Sequence, residues 1–213
     1  LTKHFGGIRA IEEVRFRVRE GSITSIIGPN GAGKTTLFNC LTGITQPTKG
    51  RVSFLDTEIT GFRPSSIVKL GIARTFQNIR LFKEMSVLEN IMVSQHCRTG
   101  SGLLASILRG NAFKKEEKII EEKALEYLEL VGLEDFAETL SWNLPYGSQK
   151  RLEIARAIAT EPRLMLLDEP TAGMNPQETS EMMELIKKLQ ELGKTIILIE
   201  HDMKVVMGIS ENQ

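Results

Sequence analysis

Gly28-Pro29-Asn30-Gly31-Ala32-Gly33-Lys34-Thr35-Thr36 fits Gly-x4-Gly-Lys-Ser/Thr, the pattern of a phosphate-cradling P-loop. Ile23-Thr24-Ser25-Ile26-Ile27 before it reads as a short, largely apolar strand, and Thr35-Thr36-Leu37-Phe38-Asn39-Cys40-Leu41 after it as the opening of a helix. The motif needs that strand–loop–helix context. Glycines let the backbone turn its N–H groups inward into a nest for anionic oxygens, and the helix N-terminus adds partial positive charge there. Lys34 then supplies a compact cation for β- and γ-phosphates, and the Thr35 hydroxyl a magnesium ligand.

The rest of the chain reads as an α/β protein around that loop. Its 213 residues suffice for one sizeable domain with a subdomain, and 41% hydrophobic with 25% charged residues is ordinary globular composition. A net charge of +0 argues against a general nucleic-acid surface. Two cysteines, Cys40 and Cys97, make no disulfide framework, and three histidines without Cys/His clustering make no zinc site. No apolar run is long enough to span a bilayer, and no signal peptide is visible. A start at Leu1 and a stop at Gln213, straight after a helical pattern, both read as trimmed ends.

Residues 8–11 and 14–18 alternate like strands and suggest an antiparallel flap beside the P-loop strand, with a turn at Glu20-Gly21. Gly43 and Pro47-Thr48-Lys49-Gly50 mark turns, residues 51–55 a strand, and residues 72–74 a strand running into a loop tipped by Gln77. From residue 84 to 143 helical patterns dominate. Ile120, Ala124, Tyr127, Leu128 and Val131 recur at helix spacing, with Gly132 as C-cap. Within that segment residues 99–111 read as a surface excursion, and residues 114–118 as a solvated helix face. A helix over residues 148–160 places Leu152, Ala155, Ile158 and Ala159 inward and Lys150, Arg151, Glu153 and Arg156 outward. The loop before it, Leu144-Pro145-Tyr146-Gly147-Ser148-Gln149, is a second candidate anion site.

Leu164-Met165-Leu166-Leu167 is the unbroken apolar run of a parallel strand buried on both faces. Asp168 and Glu169 at its end are costly inside a core but suited to the C-terminal edge of a sheet, where open α/β folds bind ligands. Asp168 would hold magnesium, directly or through water, and Glu169 would orient or deprotonate an attacking water. Asn175-Pro176 reads as an N-cap followed by proline at the first helical position. Met182, Leu185, Ile186, Leu189 and Leu192 form the inward face of that helix, and Gly193 ends it. Residues 195–199 form another buried strand, followed by Glu200, His201 and Asp202. There His201 can donate a hydrogen bond to a phosphate oxygen. Phe5 reads either as a core aromatic or as a ligand-facing one.

In this order the motifs resemble, over essentially the whole chain, the ATP-binding subunits of ABC transporters. Residues 28–36 match the Walker A loop, Gln77 the Q-loop, residues 164–169 Walker B with its catalytic glutamate, and His201 the switch histidine. Residues 144–149 fall at the signature loop and Ala172-Gly173-Met174-Asn175 at the D-loop. The resemblance implies ATP and Mg²⁺ as ligands, with Gln77 and His201 beside Glu169 in catalysis and Gln77 also a metal ligand. It implies Phe5 stacking on adenine, with Gly28, Asn30, Gly31, Ala32, Gly33, Lys34, Thr35 and Thr36 around the phosphates. Gly147, Ser148 and Gln149 would face a nucleotide held by a second subunit. The implied architecture is a P-loop NTPase core of mostly parallel sheet over residues 1–83 and 144–213. An antiparallel β subdomain lies at its N-terminus, and residues 84–143 form an inserted helical subdomain.

Tyr146-Gly147, residues 151–156, Ala172-Gly173-Met174-Asn175-Pro176 and residues 199–204 look like the importer ATPases for branched-chain amino acids. That implies a peripheral protein on the cytoplasmic face of the cell membrane, dimerised with itself or a related subunit. It would bind transmembrane permease subunits, serve a substrate-binding protein indirectly and bind no nucleic acid. Two departures stand out. Pro145 replaces the signature serine, losing a hydroxyl and a backbone N–H, and Asn175 replaces the D-loop aspartate. The alternatives are a soluble ABC-type ATPase of DNA repair or translation, and a nucleotide-dependent scaffold with little turnover.

Overall fold

The computed structural model describes residues 1–95, 111–201 and 207–208, with side chains from residue 116 onward in the second stretch. The backbone divides into two compact units. One comprises Leu1–Gln77 with the described residues from Pro162 onward, and the other is Asn78–Glu161. The helical unit is therefore wider than residues 84–143 and takes in the helix expected at 148–160.

In the first unit, β1 (Lys3–Phe5) and β2 (Ile8–Ile11) pair as an antiparallel hairpin. Strand β3 (Ile23–Ile27) leads through the P-loop into α1 (Lys34–Leu41). Strands β4 (Ser53–Phe54) and β5 (Thr57–Glu58) form a second, minimal hairpin, and α2 (Pro64–Lys69) precedes β6 (Ile72–Arg74). Strand β7 is Leu164–Asp168 and β8 is Thr195–Glu200. The four-stranded sheet is wholly parallel in the order β3-β8-β7-β6. Its central strands β7 and β8 are buried almost throughout, as their unbroken apolar runs require. Phe38 of α1 packs with Ile59, Ile67, Ile72, Leu166, Ile197 and Ile199 against the sheet. Because the strands are parallel, their C-terminal ends form one edge. There Ile27 is in register with Glu200, Asp168 with Ile199 and Arg74 with Leu166.

Two β expectations need correction. Residues 14–18 alternate like a strand but join no ladder among the described residues. The Val14 N–H donates to the Leu1 carbonyl and the Leu1 amino group to the Val14 carbonyl, and Phe16 remains 43% exposed. Alternation specifies two faces, not a neighbour to pair with. The strand expected over 51–55 is reduced to Ser53–Phe54. Val52 leaves the ladder pattern by donating its N–H to the Thr60 hydroxyl and accepting from the Ile59 N–H.

The second unit holds α3 (Val87–Gln95), α4 (Asn111–Val131) and α5 (Tyr146–Ile158). Ile120, Ala124, Leu128 and Val131 are buried, as their spacing predicts. Gly132 adopts φ +66 and closes α4 with the Leu133 N–H on the Leu128 carbonyl and its own N–H on the Glu129 carbonyl. Helix α5 begins two residues earlier than expected, with Pro145 as N-cap. Its polar face also differs, because Lys150 and Glu153 are buried, at 3% and 6% exposure. Glu153 Oε1 accepts the Arg80 N–H at 2.8 Å, so a carboxylate on the helix satisfies the backbone of a passing loop. The excursion at 99–110, Cys97, Lys114 and Lys115, Asp202 and residues 209–213 lie outside the described residues or side chains. Lys118, further along the same face, is exposed and pairs with Glu122 at 3.7 Å.

Helix α6 (Pro176–Glu191) opens on a full capping box. The Glu178 N–H donates to Asn175 Oδ1 at 2.9 Å, and the Asn175 N–H to Glu178 Oε2 at 3.0 Å. Met182, Leu185, Ile186 and Leu189 are buried, whereas Leu192, expected inward, is 58% exposed because it is the C-cap and has left the helical face. The cap carries the first prediction. Asn175→Ala should lower stability by about 1 kcal/mol, and Asn175→Asp should keep most of it, measured by urea denaturation. Equal midpoints for the parent and the Asn175→Ala variant would show that the cap contributes nothing.

Candidate active site

The P-loop wraps the N-terminus of α1. A Cβ on Gly33 would sit 2.1 Å from the Ala10 carbonyl oxygen, and Gly33 has φ +84, so only glycine lets β2 approach this closely. Lys34 is folded back, its Nζ donating to the Gly28 and Pro29 carbonyls at 2.6 and 3.0 Å. Asn30, Gly31, Ala32 and Thr35 are exposed, while Gly28 and Thr36 are half-buried. Phe5 lies on the hairpin that packs against this loop. It is 49% exposed, which excludes the core-aromatic reading, and Lys3 Nζ stands 4.7 Å from its ring centre.

At the same sheet edge, Glu169 follows β7 with φ +49, a bend uncommon for a non-glycine residue. Gln77 Nε2 donates to Glu169 Oε2 at 3.1 Å, and His201 Nδ1 lies 3.7 Å from Glu169 Oε1. Three segments far apart in sequence thus meet on one carboxylate. The Glu169 N–H donates to the Ile199 carbonyl at 3.0 Å, which ties the exits of β7 and β8 together. Asp168 is 1% exposed and accepts from Arg74 Nη2 at 2.9 Å, while Arg74 Nη1 donates to Asn39 Oδ1 on α1 at 2.6 Å. The Arg74 guanidinium also lies over the rings of Phe38 and Phe76, at 5.4 and 5.0 Å.

Sequence reasoning missed Arg74. Its signal is the same as that of Asp168, a charge at the last position of an apolar strand, which in a parallel sheet puts both at one edge. Glu200, expected as a polar residue after the strand, is instead its last residue and is 1% exposed. Thr171 was also missed: its hydroxyl donates to Glu200 Oε1 at 2.7 Å.

The signature residues sit in the helical unit, at the start of α5. Gly147 and Ser148 are buried and Gln149 is half-buried. Arg151 Nη2 donates to the Ser148 hydroxyl at 3.3 Å, and Gln149 Nε2 to the Leu144 carbonyl at 2.8 Å. No side chain caps this helix, since Pro145 has none to offer. One turn on, burial pushes the Glu153 carboxyl up and Arg156 down from their ordinary ranges. Arg156 donates to the Arg80 carbonyl and lies over the Phe82 ring at 4.8 Å.

A P-loop, an acidic pair closing the strand two places away, and Gln and His on the second acid are groups chemically suited to nucleoside triphosphate hydrolysis. Comparison with known proteins agrees. Residues 11–172 match the family model described as ABC transporter. The chain is 49% identical over 213 residues to the high-affinity branched-chain amino acid transport ATP-binding protein BraF of Pseudomonas aeruginosa, covering all of this chain and 84% of that one. It superposes with TM-score 0.84 and 36% identity on an ATP-binding cassette of an ABC transporter in its ADP conformation, covering 98% of this chain and 81% of the other. A dimeric ATP-binding cassette in a post-hydrolysis state, bound to ADP and Pi, matches with TM-score 0.79 and 29% identity over 96% of this chain and 86% of that one. With site, fold and near-full-length similarity in agreement, the chain belongs to the ABC transporter family as one of its ATP-binding ATPases.

Proposed function

We propose that this ATPase energises uptake of branched-chain amino acids, working as a dimer beneath transmembrane permease subunits on the cytoplasmic face of the membrane. The observation that carries the catalytic part is the meeting of Gln77 and His201 on Glu169 at the sheet edge that also presents the P-loop. BraF, alike over the whole chain, supports the transported class. No helix among the described residues is long and apolar enough to cross a membrane. The helical unit offers a groove lined by Ile79, Leu81 and Trp142 together with Lys83 and Glu84, a surface suited to a permease loop.

In the proposed reaction, Lys34 leaves the Gly28 and Pro29 carbonyls for the β- and γ-phosphates, while P-loop N–H groups hold the phosphate oxygens. Gln77 and Glu169 orient a water in line with the γ-phosphorus. Glu169 accepts its proton as the new O–P bond forms and the bond to the β-phosphate oxygen breaks. ADP leaves, and Glu169 returns the proton to solvent. His201 donates a hydrogen bond to a γ-phosphate oxygen, where charge accumulates. The donor types suit magnesium: Thr35 offers an exposed hydroxyl and Gln77 an amide, while the Asp168 carboxylate, buried and bonded to Arg74 through Oδ2, would serve directly or through water. No cluster of three His, Cys, Asp or Glu exists among the described residues to form a closed protein cage. Bound there, the ion would neutralise phosphate charge.

Two experiments test this reading. Uptake of labelled leucine by vesicles holding the full-length protein and its co-purifying permease should require ATP inside the cytoplasmic compartment. ATP-driven uptake of another solute class, with none of leucine, would overturn the substrate assignment. Pro145→Ser should restore a helix cap and a hydroxyl at the signature turn and raise turnover about tenfold in the reconstituted dimer. Unchanged turnover would mean the proline loop already functions as it stands.

A further inference from the structure

We propose that Glu200 and Thr171 form a positioning pair that sets the catalytic carboxylate and the turn after it. The inference rests on the reading of Glu169 as the group that handles water. Glu200 Oε1 accepts from the Thr171 hydroxyl at 2.7 Å and from the Thr171 N–H at 3.3 Å. Glu200 is 1% exposed and Thr171 8%, and Glu200 Oε2 is buried with no hydrogen-bond partner. A carboxylate half-satisfied in this way is costly where leucine or isoleucine would cost nothing, and the rest of β8 shows that this strand otherwise uses aliphatics. The cost is offset by what the pair fixes.

Thr171 lies two residues after Glu169, and Glu200 immediately before His201. The pair therefore joins the segment bearing one catalytic group to the segment bearing the other. It is the second tie at this point, one step beyond the bond from the Glu169 N–H to the Ile199 carbonyl. Thr171 also starts the turn that follows. The Ala172 N–H donates to the Glu169 carbonyl at 3.2 Å and the Met174 N–H to the Thr171 carbonyl at 3.2 Å, which brings the chain to the Asn175 cap of α6. With the first tie alone, the segment carrying Glu169 at φ +49 would be joined to the exit of β8 only through the Glu169 N–H. With both, the backbone on either side of the bend is fixed relative to the residue before His201, while Gln77 Nε2 holds the carboxylate itself. A carboxylate accepts two bonds from one residue on a single oxygen, which a hydroxyl or amide at position 200 would do less strongly.

The test uses steady-state ATP hydrolysis by the full-length protein. Thr171→Val, which keeps shape and removes the hydroxyl, should lower kcat about tenfold and leave KM for ATP within about twofold. Thr171→Ser should recover most of that loss. Glu200→Gln should lower kcat in the same sense, and adding Thr171→Val to it should cost little more, because both weaken the same contact between these two residues. Parental kcat in Thr171→Val overturns the pair. So do losses that multiply in the double variant, or a kcat loss that only tracks the folded fraction in a thermal melt. Glu169→Gln is run alongside. If it abolishes turnover while Thr171→Val is fully active, only the pair assignment fails. If Glu169→Gln is itself fully active, the underlying reading fails with it.

Discussion

Glu169→Gln is expected to stop ATP hydrolysis, by at least about a hundredfold, while ATP affinity changes by less than about threefold. The geometry gives the reason for this split. Glu169 takes a hydrogen bond from Gln77 and a close contact from His201 at the sheet edge, whereas the groups proposed to hold the triphosphate are the P-loop amides and Lys34. Glutamine keeps the size and can still pair with Gln77, but it cannot accept a proton. Nucleotide then remains bound and intact, and a dimer closed on it has no route to reopen, so size-exclusion chromatography with ATP should show a persistent dimer. Parental turnover in the variant would remove Glu169 from its role. Loss of binding together with turnover would instead mean that Glu169 holds the nucleotide.

Much of this site was legible because the chemistry is written locally. A P-loop is a continuous stretch, and its flanks declare strand and helix by composition alone. Asp168-Glu169 is legible for a related reason, since two charges directly after four aliphatics have nowhere to sit except a sheet edge. What was not legible depends on neighbours. Lys150 and Glu153 occupy positions that a helical wheel assigns to solvent, yet both are buried, and Glu153 serves as the acceptor for the Arg80 N–H of a loop distant in sequence. Glu200 looks like the first polar residue after a strand, but it is in register with Ile27 of β3 as the strand's last residue, and Thr171 reaches its buried carboxylate from β7's exit. Residues 14–18 err in the opposite direction, carrying the pattern of a strand without a ladder. In each case the periodicity was read correctly and the long-range partner decided the outcome, which no window of ten residues contains.

Arg74 offers the clearest case for separating stability from chemistry. Its side chain and that of Asp168 are 5% and 2% exposed, so the pair is a buried one, and Arg74 reaches α1 through Asn39 as well. Arg74→Met should lower the unfolding free energy by about 3–5 kcal/mol, because it leaves the Asp168 carboxylate in the core with its cation gone. Asp168→Asn alone should destabilise for the mirror reason, stranding the guanidinium. The double variant Arg74→Met/Asp168→Asn buries no unpaired charge and should recover most of the lost stability, since a buried ion pair is worth little against neutral groups of similar volume. It should nonetheless remain inactive, because a neutral amide at position 168 cannot supply the carboxylate proposed to hold the metal ion. Urea denaturation reads the first quantity and single-turnover hydrolysis at varied magnesium reads the second. A double variant that is stable and hydrolyses ATP at the parental rate would make Asp168 purely a partner for Arg74. If the double is as unstable as the sum of the singles, the two charges do not compensate one another, and the cohesion of this sheet edge lies in the stacking of Arg74 on Phe38 and Phe76.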